Sequence, residues 1–454
     1  MEHKPQSSDF ANLNFRKIKG AKSIMKREYS GLKSYLLLWS TQSLSALGSG
    51  MTSYALVLWL YLRSGSALKT ALLAVCSYAP YVVMSIFAGA LSDRWNKKRT
   101  MLVCDFVAAL STVAVFVLIR ADLLREWHLY ALNALNGLMN TVQQPASEVA
   151  ATLLIPKDSY QRTSGLRSLS QSLTSILTPV LATALFAFAG IEWVIAADLF
   201  TFAAAFLALK LFIRIPEDGH SRQEHEKLLA SARMGLRWLK GNPLILHLIL
   251  FLACINLVAS TYDAALPAML LSRQNGGETV MGIVNTCVGI ATLAGSVLAT
   301  LLPAPKNRVR AICLALMLSM STENFMLAFG TTPLIWCIGA VLGWLMIPLM
   351  NANMDVIFRN TIPVDMQGRV YACRNTLQFF TIPIGFLLGG ALVDGVFEPL
   401  MAAQRPGSTL TSLFGEGKGS GAALLFFVIG IIGVMICLAY SWILRKYSWN
   451  ETKP

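Results

Sequence analysis

Four acids in this chain stand where acids are costly, and a fifth stands in a basic turn. Asp105, Asp198, Asp263 and Glu323 fall inside long apolar runs, and Asp93 falls in a short polar stretch between two of them. An ionisable side chain at membrane depth carries a proton, meets a charged ligand or ties helices together. Around Asp93 the order is Gly89-Ala90-Leu91-Ser92-Asp93-Arg94-Trp95-Asn96-Lys97-Lys98-Arg99, one acid against four bases. A tight basic turn between two apolar helices has the composition of a membrane loop on the cytoplasmic face.

The elements that must position these residues follow from composition. The chain has 454 residues, 55% of them hydrophobic and 14% charged, against about 25% charged in an ordinary soluble domain. Apolar blocks long enough to span a bilayer recur near 35–61, 67–91, 101–120, 127–153, 164–188, 191–213, 243–271, 279–303, 308–329, 332–357, 367–394 and 421–444. This predicts an all-α polytopic membrane protein of twelve transmembrane helices. Of the 38 Lys and Arg, 31 fall on the side of the N-terminus when the spans alternate and 7 on the other. The split predicts cytoplasmic termini in a cell (inner) membrane. It also explains the net charge of +14, so nucleic acid is not an expected partner.

The longest interior polar stretch, 214–242, divides the spans six and six. Within it Leu228, Leu229, Ala232, Leu236 and Leu239 recur at helical spacing among Arg233, Arg237 and Lys240, the pattern of an amphipathic helix on the membrane surface. The expected organisation is a basic tail of irregular structure (1–33), a six-helix bundle (34–213), the linker (214–242), a second six-helix bundle (243–445) and a short cytoplasmic tail (446–454). The eight cysteines lie almost all in apolar segments and form no Cys-x-x-Cys pair, so they read as small hydrophobes.

The 89–99 loop resembles the signature loop between the second and third spans of the major facilitator superfamily. Other segments resemble its drug-exporter branch, which includes macrolide efflux proteins and the enterobactin exporter. These are Leu47 to Leu56, Pro145 to Ala150 with Leu154 to Lys157, Ala197 to Phe202, Gly235 to Lys240 before Pro243, and Gly368-Arg369-Val370 continuing to Pro383-Ile384-Gly385 and Gly389-Gly390. The resemblance implies the major facilitator fold of two six-helix bundles, alternating access, and export of an amphiphilic drug-like or secondary-metabolite compound. The chain also departs from the pattern. Asn96 replaces a glycine whose turn asparagine can imitate at positive φ. Span 5 keeps Pro179 but has small residues for the glycines of proton-coupled exporters. An arginine expected near Gly137 is missing, and Ser49 stands where some relatives carry an acid.

The resemblance further implies a conformational switch built from Gly89, Asp93, Arg94, Lys97, Lys98, Glu148, Gly368 and Arg369. Asp93 would accept hydrogen bonds at the start of span 11 and Lys97 would pair with Glu148; the plainer reading is a topological anchor. With spans 1, 4, 7 and 10 lining the cavity, Asp263 is the proton-coupling candidate, or an external-gate hydrogen bond. Asp105 and Asp198 are expected to tie spans together, and Glu323 has no assigned role. Substrate-cavity candidates are Gln42, Thr52, Asn136, Asn140, Gln143, Asn256, Ser260, Tyr262 and Asn351, each of which would serve equally as interhelical glue. Gly289, Gly295, Gly385, Gly389 and Gly390 are expected to allow close helix contact.

Other motifs fail. Residues 415–421 are glycine-rich but follow no strand and start too late for a phosphate loop. His225-Glu226 lacks the second histidine of a zinc site. No cofactor and no metal are expected, and transport would draw on an ion gradient, with protons as the candidate ion, or on the substrate's own gradient. The expected partners are the lipid bilayer and a small amphiphilic substrate, with the monomer as the working unit. The rivals are a siderophore or peptide-product exporter and, from other classes, a membrane transferase or a non-transporting receptor. The five scattered histidines argue against the transferase, and retention of Asp93 argues against the receptor.

Overall fold

The structure is a computed structural model that describes residues 7–155, 160–215 and 228–446, with side chains left out at 7–31, 85–94, 160–162, 164, 165, 168, 228–232, 364, 365, 367, 368 and 372. The first six spans are α1 (Ser7–Ser64), α2 (Ala67–Arg94), α3 (Lys97–Arg120), α4 (Glu126–Leu154), α5 (Tyr160–Ala189) and α6 (Ile191–Leu211). The linker helix is α7 (Leu228–Gly241). Span 7 is α8 (Pro243–Ser272), span 8 is α9 (Glu278–Leu301) and span 9 is α10 (Arg308–Phe329). Span 10 is broken into α11 (Pro333–Leu345) and α12 (Ile347–Thr361). Span 11 is broken into α13 (Val364–Phe379) and α14 (Thr381–Leu392), followed by a π-helical turn (Val393–Phe397) and α15 (Glu398–Ala402). A short α16 (Thr409–Phe414) precedes span 12, α17 (Ser420–Leu444).

Eleven of the described helices are long and apolar enough to cross a membrane. α4 has the length, at 29 residues, but its row of amides lowers its hydropathy. It packs between α2 and α3 like a span. The expected irregular tail is corrected in part: from Ser7 onward it continues α1 as helix, as its Lys and Arg residues favour.

Local chemistry sets the helix boundaries. Ser66 caps α2, its hydroxyl accepting from Lys69 N at 3.2 Å. Asn96 caps α3 through Arg99 N at 2.9 Å. This corrects the expectation of a positive-φ turn: Asn96 has φ −61°, because the side-chain cap already satisfies the helix start. Gly190 separates α5 from α6 at φ +82°, where a side chain would be strained.

α1 packs on α5 and α6, α8 on α14 and α17, and α10 on α11 and α17. The two halves of the chain meet mainly along α2 against α14 and α5 against α9. Glycine makes these contacts close, as expected. A Cβ at Gly289 would come within 2.8 Å of Ile176 on α5, and one at Gly389 within 2.6 Å of the Thr261 carbonyl on α8. α7 docks on α13, with Gly235 against the Arg369 carbonyl and the Cys373 sulfur.

Gly389→Leu should therefore push α14 off α8 and cost about 2 kcal/mol. A lower melting temperature in detergent would show this, while Gly395→Ala, whose added Cβ meets nothing within 4 Å, should leave it unchanged.

Candidate functional site

The polar side chains of the first six helices converge on one cavity of about 1110 Å³. α4 supplies Asn133, Asn136, Asn140 and Gln143 at helical spacing, one face of amides. α5 supplies Gln171, Thr174 and Thr178, and α1 supplies Gln42, Ser49 and Thr52. Among the described residues of the other half, Asn285, Val288, Gly289 and Thr292 of α9 and Trp344 of α11 reach it. The Thr178 and Trp39 polar atoms and the Asn136 carbonyl are buried at this wall with no partner among the described residues.

Two acids share the wall. Asp105 of α3 accepts from Gln143 at 2.6 Å and Gln42 at 3.3 Å, so one carboxylate joins α1, α3 and α4. Asp198 of α6 accepts from Ser49 at 3.0 Å. Gln42 and Ser49 lie two turns apart on one face of α1. Neither acid makes a salt bridge among the described residues, so each is held by neutral donors and its charge stays uncompensated. Glu148 at the mouth pairs with Arg167 of α5 at 3.0 Å. The sequence reading placed Asp105 and Asp198 as ties between spans. They are ties, and they also face the cavity. The signal that could have found them is the pairing of each acid with polar residues of α1 at two-turn spacing.

The other expected site residues divide by half. Gln42, Thr52, Asn136, Asn140 and Gln143 line the cavity. Asn256, Ser260, Tyr262 and Asn351 do not. Asn256 donates to the Gln378 carbonyl at 3.1 Å, Ser260 is buried against Gly385, Tyr262 is buried against Phe426 with ring centroids 5.2 Å apart, and Asn351 is exposed outside the lining. The reason is packing: α8 spends its polar groups on contacts with α13, α14 and α17. Asp263 is exposed and makes no hydrogen bond or ion pair among the described residues, with Tyr78 of α2 in electrostatic reach.

Of the expected switch, Gly89, Asp93, Arg94 and Gly368 lie outside the described side chains. Glu148 is engaged by Arg167 rather than Lys97, because Arg167 on α5 stands directly across the mouth, whereas Lys97 donates to the Trp95 carbonyl at 3.2 Å. Lys98 donates to the Lys210 and Ile213 carbonyls at 3.0 and 2.7 Å. It places a cation on the C-terminus of α6, where the helix dipole favours one. Arg369 lies against the Met234 and Met366 sulfurs at 3.5 and 3.7 Å, which joins span 11 to the linker helix.

Glu323, unassigned from sequence, is buried on α10. It accepts from Trp344 Nε1 at 2.8 Å, and Gly343 leaves room for its carboxyl, since a Cβ there would come within 2.7 Å of Oε2. Trp344 is itself a cavity residue, so Glu323 fixes the one indole that the second half contributes.

The sequence profile of the Major Facilitator Superfamily matches residues 38–385. The chain belongs to this superfamily. Its members are transporters and not enzymes. The chain is similar to macrolide efflux protein A of Streptococcus pyogenes, 22% identical over 370 residues, covering 80% of this chain and 90% of the relative. It is similar to the multidrug efflux pump Tap of Mycolicibacterium fortuitum at 25% identity, covering 82% and 92%, and to the enterobactin exporter EntS of Escherichia coli O1:K1 at 22%, covering 90% and 92%. Among solved structures it shares the fold of the nucleoside transporter NupG (TM-score 0.67, 11% identity, covering 90% and 99%). It also shares the fold of an inward-facing bacterial homologue of the human lysosomal transporter Spinster (TM-score 0.63, 16% identity, covering 93% and 99%).

Trp344→Phe removes the donor to Glu323 and should cost about 1–3 kcal/mol, the penalty of an orphaned buried acceptor. Adding Glu323→Leu should recover part of that loss in a thermal melt; equal or additive losses would contradict the pairing.

Proposed function

We propose that this protein exports a bulky amphiphilic compound, drug-like or a secondary metabolite, by alternating access across a cell membrane, with both termini in the cytoplasm. The observation that carries this is the cavity: roomy, lined by amides and hydroxyls of α1, α4 and α5, and holding two carboxylates without a counter-cation among the described residues. A cavity of this volume is at the upper end of small-molecule sites. Neutral hydrogen-bond groups suit a substrate with several oxygen functions. The carboxylates favour one that carries positive charge, since a cation replaces the missing partner of Asp105 or Asp198.

The division at the linker into two bundles, each moving as a unit, belongs to the same proposal. So does the conformational switch expected around Asp93. The relatives favour export over import, as their printed functions are macrolide efflux, multidrug efflux and enterobactin export. Proton antiport is the energy source we propose. Asp263, accessible and without a bonded partner among the described residues, remains the candidate for taking up the proton. Asp105 and Asp198 face the substrate side, so loading of one kind of acid and release from the other need not compete for one site.

Efflux from loaded membrane vesicles tests the reading. A cationic amphiphile should leave at least about tenfold faster through the native protein than through Asp105→Asn, with the neutral N-acylated analogue much less affected. Equal loss for both analogues would contradict charge recognition. Collapsing the proton gradient should stop uphill efflux, and undiminished uphill efflux would overturn the antiport part.

A further inference from the structure

The cavity reaches the end of the molecule that carries Tyr35, Glu148, Ala151 and Arg167. At the opposite end the halves are bonded together, and the strongest bonds centre on a residue with no part in the cavity. Asp394 sits in the π-helical turn that ends span 11. Its Oδ2 accepts from the Ser66 hydroxyl at 2.5 Å and from Leu68 N at 2.9 Å, and its Oδ1 accepts from Ala67 N at 3.0 Å. One carboxylate of the second half thus takes the first two free amides of α2 and the hydroxyl that caps it, all in the first half.

Each of these is a charge-assisted bond, and the carboxylate also sits on the positive end of a 28-residue helix. The neighbouring contacts fit a closed junction. Leu68 packs directly on Gly390, leaving no room for a Cβ. Beside it the Tyr61 hydroxyl of α1 meets the Ser272 hydroxyl of α8 at 2.7 Å and donates to the Ala268 carbonyl at 3.2 Å. The π-turn has a geometric purpose here: one residue more per turn swings Asp394 out of the α14 line toward α2. Glu398, one turn on, caps α17 within its own half through Gly419 N and Ala422 N. The two acids therefore have different jobs, one within a half and one between halves.

We infer that Asp394 is the latch that holds the far mouth shut, and that it must leave the N-terminus of α2 each time the cavity opens to that side. The inference rests on the transporter reading but on no substrate. In sequence, Asp394 stands as far after Gly368 as Asp93 stands after Ala67. Spans 2 and 11 each carry an aspartate near the far end, so the helix pair carries a candidate latch residue at both ends. Releasing one end while engaging the other would exchange like bonds for like, which keeps the two states close in free energy.

Hydrogen–deuterium exchange on the full chain in lipid nanodiscs, without substrate, tests this. In Asp394→Asn the amides of 66–70 should exchange at least about fivefold faster, and those of 147–155 at the cavity mouth should slow as the population moves to the far-open state. Ser66→Ala, which removes only the hydroxyl, should shift both segments in the same directions by less, and it carries the test if Asp394→Asn does not accumulate. Faster exchange confined to 66–70, with 147–155 unchanged, would reduce Asp394 to a local helix cap and overturn the latch. No change at 66–70 would overturn it as well. Neither readout depends on efflux, so a failed transport assay leaves this result to be judged by itself.

Discussion

The constraint on which this structure depends is that a carboxylate buried at membrane depth is costly unless it finds donors inside the protein. Unpaired, such a group costs several kcal/mol. Asp105, Asp198, Glu323 and Asp394 each meet the demand differently: two side-chain amides, a hydroxyl, an indole, and the free amides of a helix start. None uses a salt bridge among the described residues. Neutral donors satisfy the oxygen atoms and leave the charge unspent, so these acids can still attract a cation, take up a proton or let go of a helix. A lysine or arginine partner would have fixed them in place.

These bonds also explain why the two halves are unequal. α1, α4 and α5 turn their amides and hydroxyls inward and make the cavity. α8 uses comparable residues to hold α13, α14 and α17, and so contributes little to the lining. The second half is accordingly the better packed: its core from Leu239 to Leu444 is one cluster, which also takes in Leu58, Tyr61 and Ala67 of the first half, whereas the other clustered apolar residues of the first half form two smaller groups. Polar groups placed in a cavity are lost to packing, and the first half shows that exchange.

Much of this was legible in the residues. Apolar run length and the distribution of Lys and Arg gave the spans, and the glycines of α9 and α14 foretold the close contacts. The polar stripe of α4 was readable because its spacing is that of one helix face. What could not be read was which of two polar stripes faces the cavity, since Asn136 and Asn256 look alike until their neighbours are known. Asp105 and Asp198 fall outside the spans 1, 4, 7 and 10 expected to line the cavity, yet a side chain reaching toward Gln42 or Ser49 crosses that line. Glu323 needed Trp344 on another helix, and Asp394 needed the start of α2 more than three hundred residues earlier. Such partners leave no local pattern in a sequence.

The central claim is that the uncompensated carboxylates of the first half receive the substrate. A cryo-electron microscopy map of the full chain in nanodiscs with a bound cationic amphiphile tests it most directly. The account predicts density between α1, α4 and α5, with the cationic group within hydrogen-bonding reach of Asp105 or Asp198. A ligand seated against α8 and α12 with both carboxylates still bonded only to Gln42, Gln143 and Ser49 would contradict it.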